Sequence, residues 1–267
     1  MGIRDILVHL DSSTASAARL DLAIAYARKH NARLRGLYLI THFYYEPRAL
    51  GENSDREKAE QQFMDKTAEA GIASEWVFKD CSVMGASVSD LITMYTYFTD
   101  LLIIGQVNQS APTGNIPADI VERVIMSCGR PVLVVPYSGK FSTAGERIMV
   151  AWKAGRESMR ALNDALHIME KAHSVVIMES IKADEIADAT LQSVKEFLLK
   201  HEVVATIDAV STGNFPIGDM LLNNACEKKI DLLVMGAFAP NRRGKLELSP
   251  VAHHVLKHLT TPVLMSH

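Results

Sequence analysis

Two stretches place a glycine where a strand would deliver its carboxyl end to a ligand. One is Leu101-Leu102-Ile103-Ile104-Gly105, followed by a polar loop through Gly114. The other is Leu232-Leu233-Val234-Met235-Gly236, followed by a loop through Gly244. In an open parallel sheet, ligands bind in the crevice outside the carboxyl ends of the strands. Amides in such a loop, or at the start of the next helix, can hold an anion. The second loop carries Arg242, Arg243 and Lys245, which suit an anion clamp. The plainer expectation for such a charge run is a solvated basic loop.

Other spacings suggest chemistry less strongly. His9 and Asp11 alternate on one strand and share a side. A catalytic pair needs a nucleophile, and Ser12 and Ser13 sit in no nucleophile elbow, so His9 is expected to be structural. His254 and His258 have the i, i+4 spacing of two zinc ligands, with His253 beside them. No glutamate of the metalloprotease motif and no third ligand accompany them, so no metal is expected. Cys81, Cys128 and Cys226 share no paired spacing and read as small core residues.

The elements that position these residues alternate strand and helix. The first half reads as strand "DILVHL", a helix over residues 13–30 with Leu20, Ala23, Ile24 and Ala27 on one stripe, and strand "LRGLYLI". A polar helix follows, with a Ser54/Glu57 capping box and Gly71 as its stop. Strand "SEWVFK", helix "SVSDLITMYTYFT", strand "DLLIIG", helix "PADIVERVIMSCG" and strand "PVLVVP" complete it. Continuous apolar strands alternating with helices predict a parallel sheet covered on both faces.

The order then repeats. Residues 100–105 match 231–236, and 131–135 match 262–266, both at an offset of 131; Ile6 matches Ile148 at an offset of 142. Internal similarity on this scale predicts two domains, 1–136 and 147–267, joined by the polar linker 137–146.

Bulk properties narrow the classes. At 48% hydrophobic and 22% charged, the chain can bury a sizeable core. A net charge of -3 gives no pull toward nucleic acid or an anionic membrane surface. No membrane-spanning run or targeting pattern is read, and an odd cysteine count without a secretion signal predicts a cytoplasmic setting.

These residues resemble the universal stress protein family, over nearly the whole chain and twice. The carriers are "ILVHLD" at 6–11, "DLLIIG" at 100–105, "PVLVV" at 131–135, "DLLVMG" at 231–236 and "TTPVLMSH" at 260–267. The resemblance implies an α/β fold of two tandem doubly wound five-stranded parallel sheets, strand order 3-2-1-4-5. It also implies dimerisation through fifth strands, which a tandem chain would make with itself as an intramolecular pseudo-dimer; a further homodimer stays open.

The nucleotide-binding branch of that family carries Gly-x2-Gly-x9-Gly-Ser/Thr after the fourth strand. Here the first glycine is Gly105, the second position is Asn108, and the final pair is Ala118 and Asp119. In the second unit these positions are Gly236, Ala239, Ser249 and Pro250. Each unit keeps one glycine. Asp119 is expected to accept from the helix-start amides a phosphate would use, and to repel a phosphate by charge. Ser249 and Pro250 are expected to form an N-cap and first-turn pair. Asp11 matches the family's adenine-side acid and Leu39 the apolar residue ending the second strand; Lys153 departs from that pattern.

The sequence thus predicts a stress-response protein that acts by binding a small ligand or a protein partner, not by turnover, with a degenerate nucleotide site. No cofactor is assigned, and ATP or another adenine nucleotide is the one to test. Two rivals stay open: an ATP-binding member with slow hydrolysis, and an interaction scaffold with closed clefts.

Overall fold

The structure is a computed structural model. It describes residues 2–40, 52–110, 116–181, 190–211, 213, 215–240 and 246–266. The chain divides into two compact units, Met1–Ser142 and Thr143–His267.

The first unit runs β1 (Asp5–Leu10), α1 (Ser16–His30), β2 (Arg33–Ile40), α2 (Glu52–Ala70), β3 (Ser74–Asp80), α3 (Cys81–Met84), α4 (Val88–Thr96), β4 (Leu101–Gly105), α5 (Ile120–Ser127) and β5 (Val132–Val135). Its strands are all parallel, in the order β3-β2-β1-β4-β5. The chain leaves β1 toward β2 on one side and returns to β4 on the other. That makes the carboxyl ends of β1 and β4 the topological switch point.

The second unit runs β6 (Arg147–Trp152), α6 (Arg156–Met169), β7 (Ser174–Ile181), α7 (Thr190–Lys200), β8 (Ala205–Ser211), α8 (Ile217–Glu227), β9 (Leu232–Gly236), β10 (Phe238–Pro240), β11 (Leu246–Leu248), α9 (Pro250–Lys257) and β12 (Val263–Ser266). Its parallel order is β8-β7-β6-β9-β12, the same arrangement, with the switch point between β6 and β9. Among the described residues, the antiparallel pair β10 and β11 has no counterpart in the first unit.

The middles of the central strands are apolar because neighbours cover both faces. Ile6, Leu7, Val8, Leu102 and Ile103 are fully buried, as are Ile148, Met149, Leu232 and Val234 within a percent. The aspartate before the fourth strand of each unit has a backbone task. Asp100 Oδ2 accepts from the Arg4 and Asp5 amides at 2.8 and 3.0 Å. Asp231 Oδ1 accepts from the Gly145, Glu146 and Arg147 amides at 3.1, 3.0 and 2.8 Å. A carboxylate thus pins the start of each unit's first strand, which explains why the repeat begins on Asp.

Three local expectations change. Helix α1 begins at Ser16 rather than Ser13, because residues 13–15 form a turn closed by Ser16 N–H on the Ser13 carbonyl at 3.1 Å. Ser54 and Glu57 lie inside α2 and form no box at its start. Nothing between Glu52 and Ser54 breaks a helix, so the element extends back past the serine. The short helix α3 was not anticipated; Asp80 caps it by accepting from the Ser82 amide at 2.9 Å. No helix among the described residues is long and apolar enough to cross a membrane.

Candidate functional site

Each unit has a cleft at its switch point. The first, with a cavity volume of about 230 Å³, lies between the end of β1 and the loop after β4. Its walls include His9, Asp11, Gly105, Gln106, Asn108 and Ile120.

Asp11 follows β1 and is held from several directions. Its Oδ1 accepts from the Ser13 amide at 2.9 Å, and its Oδ2 pairs with Arg19 Nη2 at 2.8 Å. Arg19 reaches it from α1 with only 3% of its side chain exposed, against 13% for Asp11. Burial by itself raises the Asp11 carboxyl. The Arg19 guanidinium, His9 and the Ser13 hydrogen bonds outweigh it and hold the group well below the usual carboxylate range. Burial pushes His9 down to about 4, so the imidazole is neutral near pH 7, and its Nε2 has no hydrogen-bond partner.

The same arginine covers Gly105. A Cβ there would lie 1.7 Å from Arg19 Nη1, so the position tolerates only glycine while the guanidinium stays. The remaining glycine of the first loop therefore accommodates a side chain of the protein. Arg19 went unnoticed in the sequence because a single arginine beside an apolar stripe reads as a solvent-facing residue.

Of the other residues predicted for this site, Asn108 lines the cleft and folds back on its own loop, its Oδ1 accepting from the Ser110 amide at 3.0 Å. Leu39, buried in β2, and Ala118 and Asp119 do not line it; Ile116 and Ile120 do. Asp119 also does not cap α5. Its backbone sits at φ -98°, ψ 14°, and its side chain makes no cap hydrogen bond. The carboxylate instead accepts from Arg123 Nε at 2.8 Å, one turn along an exposed face. An N-cap normally needs an extended backbone to bring its oxygen over the first amides, and Asp119 lacks it.

The second cleft, of about 360 Å³, is lined by Trp152, Lys153, Met178, Leu221, Gly236 and Phe238, among others. Gly236 is again crowded, here by main chain. A Cβ would lie 2.8 Å from the Glu157 carbonyl carbon and 3.0 Å from its oxygen. Ser249 and Pro250 line this cleft, and Ser249 caps α9 as expected, Oγ accepting from the Ala252 amide at 3.0 Å with Pro250 in the first turn. Arg242, Arg243 and Lys245 lie outside the described residues, and of Ala239 only the backbone is described.

The histidines of the last helix have other partners. His254 Nε2 bonds Asp219 Oδ1 at 2.8 Å, and its ring lies against His258 at 4.6 Å. Among the described residues no three His, Cys, Asp or Glu side chains gather as a metal site would require.

The family model for the universal stress protein family matches residues 2–136. A universal stress protein from Archaeoglobus fulgidus DSM 4304 is similar over 98% of this chain and 97% of its own, at 18% identity and a TM-score of 0.75. A functionally unknown protein from Pseudomonas aeruginosa PAO1 is similar over 99% of this chain and 92% of its own, at 16% identity and a TM-score of 0.65. A further structure, of an Archaeoglobus fulgidus universal stress protein in complex with dAMP, covers 50% of this chain and 98% of its own, at 16% identity and a TM-score of 0.38. No match was found among curated proteins. The chain belongs to the universal stress protein family and, with two such units in succession, is a tandem member.

Proposed function

We infer that this protein serves the stress response by binding a small ligand at its switch-point clefts, with no chemical step, and that its first cleft is a degenerate nucleotide site. The observation that supports this is the seat of Arg19. One buried guanidinium occupies the space over Gly105 and pairs with Asp11, so the loop glycine and the adenine-side acid both serve an internal cation. A nucleotide entering there would compete with that pair for Asp11. It would also meet a loop whose second glycine is Asn108. Among the described residues of the first cleft, no nucleophile is hydrogen-bonded to His9, whose Nε2 is unpartnered, and Ser13 contributes its amide to Asp11.

Calorimetric titration with ATP tests the reading. The expected result is a dissociation constant weaker than roughly 10 μM, while mass spectrometry of molecules released from the denatured protein finds no adenine nucleotide. A constant in the low micromolar range or tighter, worth about 8 kcal/mol, refutes the degenerate site.

A further inference from the structure

The second cleft offers a ligand the opposite electrostatics. Lys153 follows the unit's first strand, where Asp11 follows β1, and has no ion-pair partner among the described residues. Helix α6 starts beside it behind Gly155, a position that supplies no side-chain cap. Its first-turn amides and the Lys153 ammonium together favour negative charge at this end. On the other side of the cleft Ser249 already satisfies the start of α9. An anion-attracting end therefore lies at the loop after the second unit's first strand.

One acid limits how much charge can enter. Glu157 stands in the first turn of α6, and its Oε2 lies 3.5 Å from where a Cβ on Gly155 would be. A polyphosphate would be repelled there, whereas a single acidic group can sit at Lys153. Much of the rest of the wall is apolar and aromatic, with Trp152, Met178, Ile217, Leu221 and Phe238, beside Ser158 and Ser180. Trp152 is 5% exposed, and its Nε1 has no acceptor. The volume of about 360 Å³ falls within the range of roughly 300–1,000 Å³ typical of small-molecule sites.

From these observations we propose that the cleft of the second unit binds a small aromatic compound bearing one acidic group. The acid lies at Lys153 and the start of α6, and the ring lies against Trp152, Leu221 and Phe238. The proposal rests on the reading that these units act by binding, and adds where the ligand sits and its chemical class.

Two fluorescent probes test it on the full chain. 8-Anilinonaphthalene-1-sulfonate has an aromatic body with one sulfonate; N-phenyl-1-naphthylamine has nearly the same body without charge. The sulfonate is expected to bind at one site per chain, more tightly than the amine. Lys153→Glu should weaken it roughly tenfold, the scale of one charge-assisted contact, and leave the amine unchanged. Glu157→Gln should strengthen it several-fold. Leu221→Trp, which fills the cleft, should abolish binding of both, with circular dichroism confirming that each variant is folded. If both probes bind equally and Lys153→Glu affects neither, the anionic class is wrong while the binding reading stands. If neither probe binds the folded protein, both fall. If Leu221→Trp leaves binding intact, the site is elsewhere and the proposal is overturned.

Discussion

The two clefts are built by the same succession of elements, yet each covers its surviving glycine differently. Over Gly105 lies the end of a side chain, Arg19; over Gly236 lies the main chain of Glu157. The repeat explains the exchange. Ala161 stands 142 residues after Arg19, the offset that relates Ile148 to Ile6, and Ala161 is 1% exposed. With a small residue there, no guanidinium separates helix from strand, and the first turn of α6 can approach β9. The two units share the frame, and the helix position that carries Arg19 in the first carries Ala161 in the second, so only the first crevice floor holds a guanidinium. An aspartate at the strand end matches the buried arginine in the first unit; a lysine stands there in the second.

The sharpest way to break this comparison is to remove the arginine. Arg19→Met should cost about 3–5 kcal/mol, because it leaves Asp11 buried without its cation. Urea unfolding of the variant measures this. The double variant Arg19→Met with Asp11→Asn should recover much of the loss, since neither charge is then stranded. A single variant as stable as the parent would show that water reaches Asp11 freely and that the pair does not organise the cleft.

Acidification should separate the units next. His9 has a folded pKa of about 4 against an ordinary 6.5. Between those values the unfolded chain binds a proton that the folded chain refuses, so stability falls as pH drops from about 6.5 to about 4. The full loss is on the order of 3 kcal/mol. Asp11, depressed by Arg19 and its hydrogen bonds, adds a further loss below its unfolded pKa of 3.8. The position corresponding to His9 in the second unit is Ala151, which does not titrate. His9→Gln should flatten the slope between pH 6.5 and 4, as followed by thermal unfolding across that range. An unchanged slope would assign it to other groups.

The sequence made the frame of this comparison legible, but not its content. Strands β1, β4, β6 and β9 were readable because buried parallel strands are unbroken apolar runs, and the constant offsets exposed the duplication. Asp11, Gly105 and Gly236 stand at the ends of those runs and could be read from them, whereas Asn108 and Ser249 were placed by the family's spacing. The role of Arg19 could not be read, because it depends on a side chain spanning from helix to strand end. The one available signal was the pairing of Arg19 with Ala161 across the repeat, a large cation against a small apolar residue. Strands β10 and β11 were missed for another reason: three residues each, one ending on Pro240, give no periodicity to read.

The glycines supply a smaller test. Gly236→Ala places a methyl against helix backbone that cannot rotate away, and should cost about 1–3 kcal/mol. Gly105→Ala meets the far end of a side chain instead. Arg19 can shift and keep part of its contact with Asp11, so the loss should be smaller, with the Asp11 pKa, followed by NMR titration, moving upward. Equal costs with no change at Asp11 would mean that the guanidinium does not rest over Gly105.

The smallest effect lies at the starts of α5 and α9. Ser249 has an extended backbone, φ -65° and ψ 148°, and its hydroxyl accepts from the Ala252 amide. Ser249→Ala removes that acceptor and should cost about 1 kcal/mol. Asp119 stands before α5 as Ser249 stands before α9, but its carboxylate turns along the helix to Arg123 and leaves the first amides of α5 without a side-chain cap. That ion pair is about half exposed on both sides, so Asp119→Ala should change stability by no more than about 0.5 kcal/mol. Paired urea titrations of the two alanine variants decide the matter. A loss of about 1 kcal/mol for both would mean that Asp119 caps α5 in solution, so that both helix starts are self-satisfied. A loss for Ser249→Ala alone would mean that the start of α5 is left without a side-chain cap in solution, the Asp119 carboxylate held instead by Arg123.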